Sequence, residues 1–500
     1  MLFNSILTII LHITIAFAVP HKRSKKNNDP AKKYLVKSLP GMSSLPKDYA
    51  KPIMYAGELE LYSQNKSDYF FWKFIDSTKT EKSKNITTFW LNGGPGCSSM
   101  DGVLLENGPY RVNKLRKLEV NNGSWHKISD MVYVDQPVGT GFSFTSKNHY
   151  VHELDQIGQY FLKFLEKYFE IFPQDLKNDL YLSGESYAGQ YIPYIASYIL
   201  NRNENLPNGE KPYNLKSIMI GNGWVSPDEQ SLSYLPFFES KKLINIKDQS
   251  SNKTQLVTED YENCKKLISQ ESNENDNEFD SDNDITTIGD ESNDVCNYLL
   301  NDLLYLTANS SAPKSEQCIN VYDYTLRDSY PACGSNFPPE LKYTTPYLRQ
   351  KSVLLKLHIH NAQKWQECSD TVYSELTAEN SLPSVYLLPE LIKKIPIVLF
   401  NGANDIICNT QGVLNYLQKM EWEGRTGFSN VNNTSPWLVG SKKAGWVIQE
   451  RNLTFVNVYN ASHMVPYSQP LISRSLFDFV LNTYSKKKID GKISYVSTPL

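Results

Sequence analysis

Between about residues 40 and 238, short runs of consecutive apolar and β-branched residues alternate with glycine-rich turns and helical stretches. That is the rhythm of βαβ units around a mostly parallel sheet. Residues 88–91, 131–134, 180–183 and 217–220 read as strands. From 151 to 172, Leu154, Ile157, Phe161, Phe164, Leu165, Tyr168 and Phe172 recur at three- and four-residue spacing, which predicts an amphipathic helix stopped at Pro173. The rhythm breaks between about 241 and 315. There, residues 271–294 are acidic, Asn-rich and nearly without apolar positions, a solvated surface loop that lacks the Gly and terminal Glu of an EF-hand. Strand patterns resume at 395–400, ending in Asn401-Gly402, and at 453–458, so one sheet is built from both sides of an insertion. The expected architecture is α/β: a central, mostly parallel mixed sheet flanked by helices. It forms a domain of residues 41–485 with a cap inserted at about 225–350 and a polar tail, 486–500.

Composition narrows the setting. The chain has 500 residues, 40% hydrophobic and 12% aromatic, enough for a large core, and its formal charge of −3 draws it to neither nucleic acid nor an anionic membrane. Residues 1–18 are apolar and close on Ala16-Phe17-Ala18, predicting a cleaved signal peptide followed by a mature N-terminal segment, 19–40. Residues 485–500 contain no apolar run, so no C-terminal membrane anchor is expected in this chain. Asn-x-Ser/Thr sequons at Asn65, Asn85, Asn122, Asn252, Asn309, Asn432, Asn433, Asn452 and Asn460 fit a secretory lumen, with one sugar expected across the overlapping 432 and 433. Seven cysteines in such a compartment allow three disulfides and one leftover thiol. No CxxC pair is present, and His358-x-His360 lies among leucines, so neither a metal nor a cofactor is assigned.

The chemistry concentrates in two clusters. Residues 179–189 place a β run directly before Gly184-Glu185-Ser186-Tyr187-Ala188-Gly189 and an apolar helical stretch after it. This is a nucleophile elbow, whose small residues at 184 and 188 let Ser186 occupy a tight, strained turn. A serine needs a base and the base an orienting carboxylate, arriving in this fold in the order Ser, Asp, His after successive strands. Of the histidines beyond Ser186, only His463 follows the strand and turn at 395–405, and Asp405 emerges from that turn. Asp405 is expected to fix the imidazole tautomer. The second cluster, Trp90 to Ser99, also follows a strand. Its adjacent glycines let backbone N–H groups approach a developing oxyanion, with the N–H of Tyr187 as the other donor.

On these motifs the chain resembles the serine carboxypeptidase family over roughly residues 35–485, through WLNGGPGCSS (90–99), ENGP (106–109), VDQPVGTGFS (134–143), GESYAG (184–189), IGNG (220–223), NGANDIICN (401–409) and SHMVP (462–466). Ser462 stands where the family usually has Gly. The resemblance implies a triad of Ser186, Asp405 and His463, an oxyanion hole on the backbone of Gly94 and Tyr187, and capture of the substrate's C-terminal carboxylate by Trp90, Asn92, Glu106 and Glu185. Two glutamates close together resist ionising together, so one can donate to a carboxylate, and activity is expected to favour mildly acidic pH. Ser98-Ser99-Met100-Asp101-Gly102 is most similar to the fungal pheromone-processing branch, which implies a pocket for a departing Lys or Arg lined by Asp101 and Met464. The same resemblance implies disulfides Cys97–Cys368, Cys264–Cys333 and Cys296–Cys318, with Cys408 as the free thiol. The implied activity is removal of C-terminal Lys or Arg from precursors already cut at basic sites, in the trans-Golgi or, alternatively, in the vacuole or outside the cell. A broad-specificity carboxypeptidase or a related acyltransferase are the competing readings. Retention of Asn92, Glu106 and Glu185 argues against the second.

Overall fold

A computed structural model describes residues 29–78, 85–206, 209–247, 252–274, 291–361, 364–432 and 434–499. The signal-peptide expectation and most of the acidic loop lie outside the described residues. Six strands form a parallel centre, in the spatial order Asp130–Val134, Ile86–Leu91, Asp179–Glu185, Leu215–Gly221, Ile397–Gly402 and Leu453–Val458. Every residue of 86–91, 130–134, 397–402 and 453–458 is buried. That is why these segments read as unbroken apolar runs: helices cover both faces of a parallel sheet. Antiparallel strands Ile53–Tyr62 and Ser67–Ile75 extend one edge, and Lys442–Glu450 and Ser435–Val439 the other.

The pleat sends alternate side chains to opposite layers. Phe89 and Leu91 join Phe161, Phe164 and Ile192 on one face, and Trp90 joins Trp125, Trp437 and Phe477 on the other. The predicted amphipathic helix spans Leu154–Ile171. It opens with Gln156 Oε1 accepting from the Glu153 N–H at 3.1 Å, one half of a capping box, and stops before Pro173.

The cap carries its own core of Phe238, Leu299, Leu303, Cys318 and Ile319. Helices Asn252–Glu274 and Glu291–Thr307 run into both ends of the acidic stretch, so residues 271–274 and 291–294 are helical and not part of a loop. These two helices pack against each other, which joins Cys264 to Cys296; the hairpin of Cys318–Asn320 and Asp323–Asp328 then closes through Cys318–Cys333. The nested pairing Cys264–Cys333 and Cys296–Cys318 is thereby corrected: each bridge closes within its own supersecondary unit. Cys97–Cys368 and the free, buried Cys408 are as expected.

Both ends of the domain also move. Leu35–Val36 pairs with Ile53–Tyr62, placing part of the N-terminal segment in the sheet. The polar tail folds as a hairpin, Ser485–Ile489 and Lys492–Ser497, which joins the sheet through Trp437↔Tyr495. Asn65 is buried, its side chain accepting from the Ser67 N–H. Asn85, Asn122, Asn309, Asn432, Asn452 and Asn460 are exposed; the side chain of Asn252 and all of Asn433 lie outside the described residues. His358 falls beyond the end of helix Lys351–Lys356 and bonds the Ala56 carbonyl. Among the described residues, no helix is long and apolar enough to cross a membrane.

Candidate active site

Strands Asp179–Glu185, Ile397–Gly402 and Leu453–Val458 run parallel, so the segments following them emerge at one edge of the sheet. Ser186, Asp405 and His463 follow those three strands in turn. Ser186 has φ 62°, a left-handed conformation that costs a non-glycine residue of order 1–3 kcal/mol. The turn is held by Ser186 N–H to Gly221 O (3.1 Å) and Trp224 N–H to Ser186 O (2.9 Å). A Cβ at Gly184 would lie 2.2 Å from the Leu91 carbonyl oxygen and 2.9 Å from Ala188 Cβ, so the strand pair leaves no room for a larger residue at 184.

His463 Nδ1 lies 2.8 Å from Asp405 Oδ2, with both side chains buried. The same oxygen accepts from Asn222 Nδ2 (2.7 Å) and the Cys408 N–H (3.2 Å). Three donors on one carboxylate oxygen hold its orientation, and a proton on Nδ1 leaves Nε2 as a base. Asn222 also accepts from the Gly402 N–H at 3.0 Å, tying the strand end to the acid. It sits in the quoted IGNG string, which carries no role for it; its place at the end of a strand, on the same edge as Ser186, Asp405 and His463, is the available signal. The Asp405, Cys408 and His463 ligand atoms lie within 4.8 Å of one another. Burial pushes the Cys408 thiol up, and the Asp405–His463 contact is a hydrogen bond.

The second cluster meets the first. A Cβ at Gly93 would stand 2.4 Å from the Tyr187 nitrogen, so the glycine loop and the residue after Ser186 touch backbone to backbone. Asn92 organises the acids. Its Oδ1 accepts from Trp90 Nε1 (2.8 Å) and the Gly102 N–H (3.2 Å), while its Nδ2 donates to Glu106 Oε1 (3.0 Å) and Glu185 Oε1 (3.1 Å). Burial raises both carboxyls; Glu106 adds to the rise of Glu185, whereas the hydrogen bonds from Glu185 and Asn92 and the Arg111 charge partly offset that of Glu106. The pair therefore holds a proton where an ordinary glutamate would not. His463 lies within electrostatic reach of Glu106, and Asp405 of Glu185, which brings this cluster beside the Asp405–His463 pair. Asp135 braces the loop, accepting from Ser98 Oγ (2.7 Å) and the Ser99 N–H (2.8 Å).

Asp101 is buried, and its Oδ1 has no protein partner. Burial, then Glu367, Glu106 and Asp135, push it well above the usual carboxylate range. Glu367 was not singled out from the sequence. Its carbonyl accepts from the Ser98 N–H at 2.7 Å, and burial pushes its carboxyl up to about 7. It lines a cleft of about 520 Å³ with Ser335, Asn336, Leu341 and Lys342. The signal was present: Glu367 precedes Cys368, and Cys97 lies four residues before Asp101. Met464 is half-buried beside His463.

A family model described as serine carboxypeptidase matches residues 46–483. The pheromone-processing carboxypeptidase KEX1 of Candida albicans is 50% identical over 500 residues, covering all of this chain and 69% of that protein. That of Lodderomyces elongisporus is 51% identical, over 98% of this chain and 69% of its own. The crystal structure of KEX1(delta)p, a prohormone-processing carboxypeptidase from Saccharomyces cerevisiae, matches with a TM-score of 0.85 and 40% identity, over 94% of this chain and 99% of that one.

Proposed function

Because the chain belongs to the serine carboxypeptidase family and is such an enzyme, we propose that it cleaves C-terminal Lys and Arg from peptides, with Ser186, Asp405 and His463 as its triad. Ser186 Oγ attacks the last peptide carbonyl while His463 Nε2 takes its proton. Asp405 stabilises the imidazolium, and the Gly94 and Tyr187 N–H groups receive the oxyanion. His463 then protonates the departing amino group, and water, activated by the same base, releases the acyl-enzyme. Asn92 and the protonated Glu106–Glu185 pair hold the terminal carboxylate, supported by Trp90, which restricts cleavage to the last bond. The observation that carries the basic preference is the buried Asp101 carboxyl, whose Oδ1 has no protein partner, with Glu367 beside it. A Lys or Arg side chain entering there supplies the missing donor, and Met464 supplies an apolar wall.

The names of the pheromone-processing relatives and the three disulfides support a place in the secretory pathway, and within it we propose the trans-Golgi. The substrates there are precursors left with basic ends by an endoprotease. The test is release of free amino acid from blocked dipeptides ending in Lys, Arg or Leu. Lys and Arg are expected to leave faster than Leu by at least about tenfold in kcat/KM; equal rates would assign a broad-specificity enzyme instead.

The glutamate pair makes a separate prediction. A carboxylate accepts but cannot donate, so KM for a free-acid dipeptide should climb as pH rises through the raised pKa values of Glu106 and Glu185. With Glu106→Gln and Glu185→Gln combined, an amide donor persists at every pH and the climb should flatten. An identical pH profile in wild type and variant would remove the pair from carboxylate binding.

A further inference from the structure

The loops bearing Asp405 and His463 leave neighbouring strands, yet both are fastened to a third segment, the cap hairpin around residues 320–324. The Val321 carbonyl accepts from the Ile406 N–H (3.2 Å) and Ile407 N–H (3.3 Å), just past the acid, and the Tyr324 N–H donates to the Asn404 carbonyl (3.0 Å), just before it. Between them, the Tyr322 carbonyl accepts from the His463 N–H at 2.8 Å. The Tyr322 ring lies 5.1 Å, centroid to centroid, from the imidazole, and Phe337 stacks with it at 6.2 Å. Ile406 is part of the cap's apolar core. The segment is itself pinned, by Cys318–Cys333, by the Val321 N–H to Cys333 O bond (2.9 Å) and by the Tyr322 N–H to Asn320 Oδ1 bond (2.9 Å).

We propose that this hairpin is a clamp that sets the relative position of acid and base, with Tyr322 as a positioning residue and the Cys318–Cys333 bridge as its anchor. Four consecutive residues, 321 to 324, reach both loops, so neither loop shifts against the other without breaking a bond to the same short segment. Catalytic geometry tolerates displacements of only about half an ångström, and a misplacement of about 1 Å costs on the order of a hundredfold in rate. The cap, whose helices share a core with Ile406, is thereby coupled mechanically to the proton relay.

The inference rests on reading Ser186, Asp405 and His463 as the triad, and the experiment separates the two. Wild type should show a low-field proton resonance from the His463–Asp405 hydrogen bond, absent in Asp405→Asn; an active Asp405→Asn enzyme would remove the triad reading itself. Given that resonance, Tyr322→Ala should lower kcat by about ten- to a hundredfold and shift or broaden the signal, and Tyr322→Phe should restore both. The double variant Cys318→Ser, Cys333→Ser should show the same loss in kcat with KM within about twofold of wild type. The clamp is overturned if Tyr322→Ala leaves kcat and the resonance unchanged, or if its effect is confined to KM, which would make the ring only a wall of the substrate pocket. The Tyr322 pair decides the matter even where the cysteine variant fails to fold.

Discussion

Ser186→Ala is expected to lower kcat on a blocked dipeptide ending in Lys by about 10⁶-fold, and Asp405→Asn by about 10⁴-fold, with the fold retained in both. The surroundings of Asp405 give the reason. Three donors, His463 Nδ1, Asn222 Nδ2 and the Cys408 N–H, converge on Oδ2, while Oδ1 is buried without a partner. An asparagine here is drawn to put its oxygen toward the three donors and its NH₂ where no acceptor waits, a burial cost of about 1–3 kcal/mol. The alternative flip sets the NH₂ against those donors and forces His463 to carry its proton on Nε2, where it cannot act as base. The first arrangement keeps the histidine in place but removes the charge that stabilises the imidazolium; the second abolishes the base. Both fall on kcat. Steady-state kinetics beside a thermal melt check this, and Asp405→Asn retaining kcat within about tenfold of wild type would remove Asp405 from the triad.

What could be read from the chain depended on whether burial left a periodic trace. The central strands did so because helices cover both faces: Leu453–Val458 coincides with the predicted run, and Ile397–Gly402 is displaced only two residues from the predicted 395–400. Glycines were legible where a side chain had no room, as at Gly184 against the Leu91 carbonyl. The cap was not. Helix Asn252–Glu274 exposes most of its surface, and its polar positions merge with the acidic stretch that follows, so neither its extent nor the partner of Cys264 showed. The hairpin 485–497 hid for a similar reason. At the sheet edge all of Ser485–Ile489 is exposed, and lysines suited to protecting an unpaired edge read as a tail. Asn222, Glu367 and Tyr322 escaped because their roles come from neighbours more than 90 residues away, in the Asp405, Asp101 and His463 regions respectively.

Replacing Asp101 and Glu367 together by Asn and Gln is expected to reduce the kcat/KM preference for C-terminal Lys over Leu by about a hundredfold, since a charge-assisted hydrogen bond in a buried site contributes about 1.5–3 kcal/mol. Activity toward the Leu substrate should be nearly unchanged, because neither acid need contact an apolar side chain. The pH dependence makes the assignment sharper. Burial, with repulsion from Glu367, holds Asp101 well above the usual range, and burial holds Glu367 at about 7, so both resist ionisation while the pocket is empty. A lysine ammonium reverses that repulsion and is bound by the ionised form, so preference for Lys over Leu should strengthen as pH rises toward neutrality. The Glu106–Glu185 pair runs the other way: it needs its proton to hold the substrate carboxylate, so binding of every substrate should weaken over the same rise. The Lys-to-Leu ratio cancels the shared carboxylate effect and isolates Asp101 and Glu367. Measured from about pH 5 to about pH 7.5, that ratio should increase in wild type and stay flat in the double variant. A flat ratio in wild type, or an undiminished preference in the variant, would place recognition of the basic side chain elsewhere.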